Sequence, residues 1–216
     1  MSESPSSLSA QPVRLTRSAG AVMAAYLFGQ FIGLAAKMII GGTFEAQTAL
    51  DAFYAANRPS ETLVMILAGG ILVSSFVPVF VDLLVQEKRA AAWRLASATF
   101  NIILLITGSL AVLAGIFAEP LVRSILGRDF SPEKQALTVE LLRIQLPSVV
   151  FFSLSAILVG TLNSHQQFLI PALTPAMYQI GQIFGALALA PRLGIHGLAW
   201  GVVIGSGLAV GIQLPS

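Results

Sequence analysis

The chain has 216 residues, 56% of them hydrophobic and only 10% charged, with a mean hydropathy of +0.83. Soluble globular proteins carry about 25% charged residues, so too little charge is present to cover a water-exposed shell. The apolar content excludes a disordered chain. The absence of cysteine excludes a disulfide-stapled module, thiolate zinc sites and thiol catalysis. A net charge of +2 is too small to argue for a nucleic-acid partner.

What remains is an integral membrane protein, and the gaps between charges measure its spans. Residues 1–18, Ser- and Pro-rich with Arg14 and Arg17, read as a disordered N-terminal tail. Charge-free runs follow over 18–36, 62–81, 95–118, 144–191 and 193–216. A bilayer core takes roughly 20 apolar residues per helix. Four of these runs therefore hold one helix each. The long run 144–191 holds two, separated by the five consecutive polar residues Asn163-Ser164-His165-Gln166-Gln167. The prediction is an all-α, polytopic membrane bundle of about six transmembrane helices, near 19–40, 62–84, 95–117, 142–162, 168–190 and 195–214. A cleaved signal peptide is the competing reading of the first span, but the run is long for one and ends at Lys37 without a small-residue cleavage site. Arg14 and Arg17 before the first helix, against Glu45 and Asp51 after it, place the N-terminus inside.

Between spans, Ser131-Pro132-Glu133 is a helix start, with a capping hydroxyl, a first-turn proline and an acid at the positive helix end. It opens an amphipathic lead-in to the fourth span. Asp51-Ala52-Phe53-Tyr54 reads either as an interfacial anchor with a capping Asp or as a substrate gate. Within spans, Gly29/Gly33, Gly181/Gly185 and Gly197/Gly201/Gly205 stand four apart, which lets helix backbones approach. Pro78, Pro147, Pro171 and Pro175 remove backbone hydrogen bonds in or beside spans, a pattern that suits a transporter's gated helices better than an anchor.

Gln30, Asn101, Gln145, Gln179 and Gln182 are amides at membrane depth. They serve equally as linings of a polar cavity or as interhelical hydrogen bonders. His165 and His196 lie at span ends with no carboxylate or thiolate at metal-ligand spacing, so no metal site is expected, and no cofactor. No Ser-His-Asp order, phosphate loop or carboxylate pair is present, and the chain reads as a non-enzyme.

Several stretches resemble a known family. Leu50-Asp51-Ala52-Phe53-Tyr54 followed by Phe76-Val77-Pro78-Val79-Phe80 is similar to the T-D-A-F-F…F-V-P-V signature of the MviN/MurJ family. These are bacterial lipid II flippases of the multidrug/oligosaccharidyl-lipid/polysaccharide exporter superfamily. The likeness continues through Ala136-Leu137-Thr138, Leu141-Leu142-Arg143-Ile144 and Pro147. It runs on through Leu162-Asn163, Phe168, Ile170-Pro171-Ala172 and Pro175, and ends at Gln213-Leu214-Pro215. The resemblance is collinear from about residue 19 onward and implies the N-terminal lobe of a two-lobed bundle of about fourteen helices.

That resemblance implies a multi-pass protein of the bacterial inner membrane whose partners are membrane lipids and a lipid-linked substrate, lipid II or a related polyprenyl diphosphate glycan. It also suggests a separately encoded C-terminal lobe as a partner. The family places cations on its first two helices. Here the first-helix positions fall on Gln30 and Ala36, with Lys37 adjacent. The twin basic positions of the second fall on Val64 and Met65, and an acid position falls on Gly69. Asp51 and Arg58 match. The expected substrate-binding residues are thus Gln30, Lys37, Asp51, Arg58, Gln179 and Gln182. Two further readings stand beside this one: an exporter of another polyprenyl-linked glycan or amphiphile, and a truncated, non-transporting membrane scaffold.

Overall fold

The computed structural model describes residues 10–44, 47–66 and 75–214, and no strand occurs among them. The helices in chain order are α1 (Ala10–Thr43), α2 (Gln47–Ile66), α3 (Val77–Val85), α4 (Arg89–Ile116) and α5 (Ala118–Leu121). They continue with α6 (Pro132–Ser164), α7 (Leu169–Phe184), α8 (Ala190–Leu193) and α9 (Ile195–Gly211). π-Helical turns occupy Val122–Leu126 and Gly185–Leu189.

Three helical stretches are long and apolar enough to cross a membrane by length and composition: Gly20–Thr43, Arg89–Ile116 and Pro132–Ser164. Helix α4 shows why water is the wrong solvent for this bundle. It packs on α6 and α3, yet Ile102, Leu105, Val112 and Ile116 on its outer side are all exposed. A helix apolar on every side, with only one of those sides covered by protein, belongs in lipid.

Helices α6, α7 and α9 form the centre. Helix α6 packs against α2, α4 and α9, while α7 packs against α9 and α1. The larger core gathers Phe53 of α2, Leu141 and Leu142 of α6, and Leu198 and Val202 of α9. A second cluster joins Phe76 and Phe80 to Ala92, Ile103 and Ile157.

The α7–α9 contact is made by backbone. A Cβ added at Gly201 would meet Gly181 O at 2.7 Å and Gly185 Cα at 2.8 Å, and one at Gly181 would collide with the Gly205 backbone. The glycines spaced four apart thus face one another, as their spacing suggests.

Polar ties gather where α2, α6 and α9 begin and α4 ends. Lys134 Nζ pairs with Asp51 Oδ2 at 2.8 Å and lies 3.9 Å from the Phe130 ring centroid. Glu140 pairs with His196 at 2.9 Å, and Arg143 Nε donates to Gly115 O at 3.2 Å. The Ser131 cap is present, its hydroxyl accepting from Lys134 N, with Pro132 at the first turn of α6.

The structure differs from the charge-gap reading in several places. Helix α1 begins at Ala10, so 10–18 are helical rather than disordered; residues 1–9 of that tail lie outside the described residues. The second span, expected over 62–84, is described as α2 from Gln47 and α3 to Val85, with 67–74 outside the described residues. Asp51, Arg58 and Glu61 interrupt the uncharged run, so charge gaps miss α2. It is helical because Ala52, Phe53, Ala56 and Ser60 form one stripe buried in the bundle. Asp51-Ala52-Phe53-Tyr54 is a turn of α2 that packs through the fully buried Ala52 and Phe53 and leaves Asp51 and Tyr54 exposed. The fifth span, expected as one helix, changes to a π-helical turn at Gly185, just before Pro191.

Pro171 lies in the first turn of α7, where no helical hydrogen bond is lost, and Pro78 is the second residue of α3. The prolines inside helices are Pro59, Pro147 and Pro175. If the α7–α9 contact is as tight as the glycine geometry indicates, Gly201→Val destabilises detergent-solubilised protein by about 2–3 kcal/mol. Gly207→Val, which meets open space, changes it by less than about 0.5 kcal/mol. Thermal unfolding of the two variants side by side checks this.

Candidate functional site

Helix α1 docks on α7 through small residues. Ala25, Gly29, Gly33, Ala36 and Ile40 recur at helical spacing and are all buried. A Cβ at Gly29 would rest 3.9 Å from Ala176, and one at Gly33 would rest 3.5 Å from Gln179 Nε2. The missing side chain at Gly33 therefore leaves room for the Gln179 amide. Beside this seam a cavity of about 360 Å³ opens between the two helices. Gln30 and Lys37 line it from α1, and Gln179 lines it from α7, with Pro175 and Ala172 as its apolar floor.

The structure thus brings three of the six expected site residues together. Gln30 and Lys37 are seven apart, two turns along one face of α1, and both are exposed. Lys37 is the only charged residue among those lining the cavity. Ala36 is fully buried on the packing stripe, so that position cannot present a group to the cavity. In chemical terms, the site offers one ammonium and two amides to an anionic or polar group.

Asp51, Arg58 and Gln182 lie elsewhere. Asp51 is held by Lys134. Arg58 borders a separate cleft with Thr62, Leu121 and Ile125. Gln182 turns to the other side of α7, where its Nε2 donates to Tyr178 Oη at 3.0 Å. The positions at Val64 and Gly69 fall on residues whose side chains or backbone lie outside the described residues.

Gln182 belongs to a polar nest joining α7 to α2. Asn57 Nδ2 donates to Glu61 Oε1 at 2.8 Å and lies 3.5 Å from Tyr178 Oη. The Phe152 ring closes on Tyr178 edge-on at 5.1 Å. Sequence reasoning did not single out Asn57, Glu61 or Tyr178. The signal was available in two pairs of polar residues four apart, Asn57/Glu61 and Tyr178/Gln182. Of the other amides, Asn101 lines a separate cavity of about 490 Å³ with Trp93 and His165. Gln145 is fully buried, and its amide makes no hydrogen bond. Among the described residues no group of three His, Cys, Asp or Glu could hold a metal ion.

The family model described as "Lipid II flippase MurJ" matches residues 40–216. The chain belongs to that family. A lipid II flippase MurJ of Burkholderia cenocepacia is 32% identical over 195 residues, covering 88% of this chain and 37% of that protein. A probable lipid II flippase MurJ of Bdellovibrio bacteriovorus is 30% identical over 210 residues, covering 95% of this chain and 40% of its own length. The solved structure "Lipid II flippase MurJ, inward closed conformation" superposes with a TM-score of 0.77 at 29% identity, covering 90% of this chain and 41% of that one. The chain therefore spans about two-fifths of the length of the MurJ proteins it matches. The family match begins at residue 40, so Gln30 and Lys37 lie upstream of it, on a helix that the longer pairwise similarities include.

Because this MurJ-family chain has no cysteine, single cysteines report the environment of the cavity cleanly. Gln30→Cys and Gln179→Cys are expected to react with a charged, water-soluble thiol reagent in native membranes. Phe28→Cys, on the opposite side of α1, should be at least tenfold slower because a thiol facing lipid is not ionised. Equal rates at positions 28 and 30 would mean that the cavity is not aqueous.

Proposed function

We propose that this chain forms the N-terminal lobe of a MurJ-type lipid II flippase of the bacterial inner membrane, with its N-terminus cytoplasmic. In this reading it works with a C-terminal lobe to carry a lipid-linked peptidoglycan precursor outward. Membership of the MurJ family carries the proposal, and the α1/α7 cavity supplies the chemistry. A diphosphate entering a low-dielectric bundle loses hydration and needs fixed positive charge or hydrogen-bond donors in its place. Lys37 supplies the charge. The amides of Gln30 and Gln179 supply donors that require no proton exchange. The packed α1/α7 seam fixes their relative positions. Membrane lipids cover the outer sides of α1 and α4.

A second reading, export of another polyprenyl-linked glycan or amphiphile, is favoured by one observation: the cavity holds a single cation. One ammonium suits a head group carrying less charge than a diphosphate.

Complementation of a flippase-depleted cell tests the first reading. Growth is expected when the chain is co-expressed with a MurJ C-terminal lobe, and failure both alone and in that combination would sink lipid II transport. Binding separates the two substrates. Lys37→Ala is expected to weaken lipid II binding by about 2 kcal/mol, roughly thirtyfold in Kd, while Arg58→Ala leaves it within about twofold. Tight, Lys37-dependent binding of a monophosphate-linked glycan in place of lipid II would favour the second reading.

A further inference from the structure

We propose that internal water is bound in the seam between α2 and α6, held by the Gln145 amide of α6 and by the Ser60 hydroxyl and Asn57 amide of α2. The site is separate from the α1/α7 cavity and does not depend on which lipid the protein carries.

The first observation is a set of buried polar atoms without partners. Gln145 is fully buried, and neither its Oε1 nor its Nε2 makes a hydrogen bond among the described residues. Ser60 is 1% exposed and Asn57 4%, and Ser60 Oγ and Asn57 Oδ1 are buried and unpartnered in the same way. Turning the Asn57 amide over only exchanges the orphaned oxygen for an orphaned nitrogen, because one end alone reaches Glu61 and Tyr178. Other buried hydroxyls behave differently. Thr107, Thr138 and Ser153 each donate to the backbone carbonyl one turn back, whereas Ser60 Oγ makes no such bond. Buried polar groups that stay dry and unpaired are costly, and native interiors pair nearly all of them with protein or ordered water.

The second observation is register. Lys134 of α6 pairs with Asp51 of α2, and a Cβ at Gly160 of α6 would lie 3.3 Å from Val77 Cγ2 at the start of α3. The offset between the partners is the same at both contacts, so α2 and α3 follow α6 in one direction and in step. At that offset Gln145 is level with Thr62, about 3 Å past Ser60 along the helix axis. Gln145 also stands eleven residues after Lys134, about three turns, which sets it on the side of α6 that carries the Asp51 pair. Its unpaired donor and acceptor therefore meet α2 at the level of Ser60. One water molecule both donates and accepts, so it serves an amide on one helix and a hydroxyl on the other.

The third observation is Pro59, which lies inside α2 beside Ser60. It has no N–H for the Ala55 carbonyl, its partner in an unbroken helix. In membrane helices such freed carbonyls are satisfied by neighbouring side chains and ordered water. Water bound at Ser60 thus adjoins the break that Pro59 makes in the α2 ladder. Bonds made through water also let α2 shift on α6 without stranding either partner, which a direct side-chain bond does not.

The test uses the purified full chain in nanodiscs, exposed to short X-ray pulses that split water into hydroxyl radicals. Radicals formed at bound water label the side chains beside it, whatever the exposure of those side chains to bulk solvent. Leu141 and Leu142, fully buried one turn before Gln145, are expected to be labelled in the wild type. Gln145→Leu should reduce that labelling at least fivefold and leave labelling elsewhere unchanged. The unfolding midpoint of detergent-solubilised protein is the second readout. Gln145→Leu should lower it by about 3 °C, the shift for one lost hydrogen-bonded group in a chain of this size. An amide that is dry and unpaired predicts the opposite sign, because the substitution then removes an unsatisfied group. Gln145→Met serves both comparisons if the leucine variant does not fold. The proposal is overturned if Leu141 and Leu142 stay unlabelled, which is the result for direct pairing of Gln145 with Ser60, if labelling persists in the variant, or if the midpoint rises. None of these readouts involves lipid II, so failure here is distinguishable from failure of the flippase reading.

Discussion

Helices α7 and α9 touch through their backbones, and the rest of the bundle is arranged around that contact. Lipid tails are as apolar as leucine, so burying leucines between helices contributes little net drive inside a bilayer, and close van der Waals approach has to supply it. Gly181 on α7, Gly185 at the π-helical turn that follows it, and Gly197, Gly201 and Gly205 on α9 remove the side chains that would hold the backbones apart. The contact fixes α7 in rotation as well as in distance. With one side of α7 committed to α9, Ala176 and Gln179 turn to α1, and Tyr178 and Gln182 turn to α2. Each polar feature of the lobe is built on one of these remaining sides.

The distribution of charge follows from the same economy. Most ionisable groups lie at the ends of helices, where pairs such as Lys134–Asp51 and Glu140–His196 tie α6 to α2 and α9 within reach of water. Lys37 beside the α1/α7 cavity and Glu61, which accepts from Asn57 near Tyr178, are charges set within their helices rather than at the ends. They carry opposite signs and lie on opposite sides of α7.

The helical character of the chain and its membrane setting were legible in the composition and the charge gaps. So was the Ser131 cap, because Ser-Pro-Glu at a helix start is a local device that needs no distant partner. The second span was misread because Asp51, Arg58 and Glu61 break the uncharged run. Their stretch is nevertheless helical, since the interleaved Ala52, Phe53, Ala56 and Ser60 find a buried setting that a one-dimensional count does not contain. Half of the candidate site was legible in the same limited way. Gln30 and Gln179 stood out as amides at membrane depth and Lys37 through the family resemblance, but Gln145 stood out as an amide too, and it packs in the interior and lines none of the cavities described above.

The sequence by itself determined the solvent, the helical periodicity and the small-residue stripes, because each follows from residue type and spacing along one chain. Its collinear motifs also pointed to the family. Only the tertiary structure decided which polar residues share a site. Gln179 and Gln182 are three apart and look equivalent on a single helix, yet one faces Lys37 across α1 and the other faces Tyr178 toward Asn57 and Glu61. The rotation of α7 separates them. That rotation is set by glycines on another helix, through a backbone contact between segments about 20 residues apart in the chain.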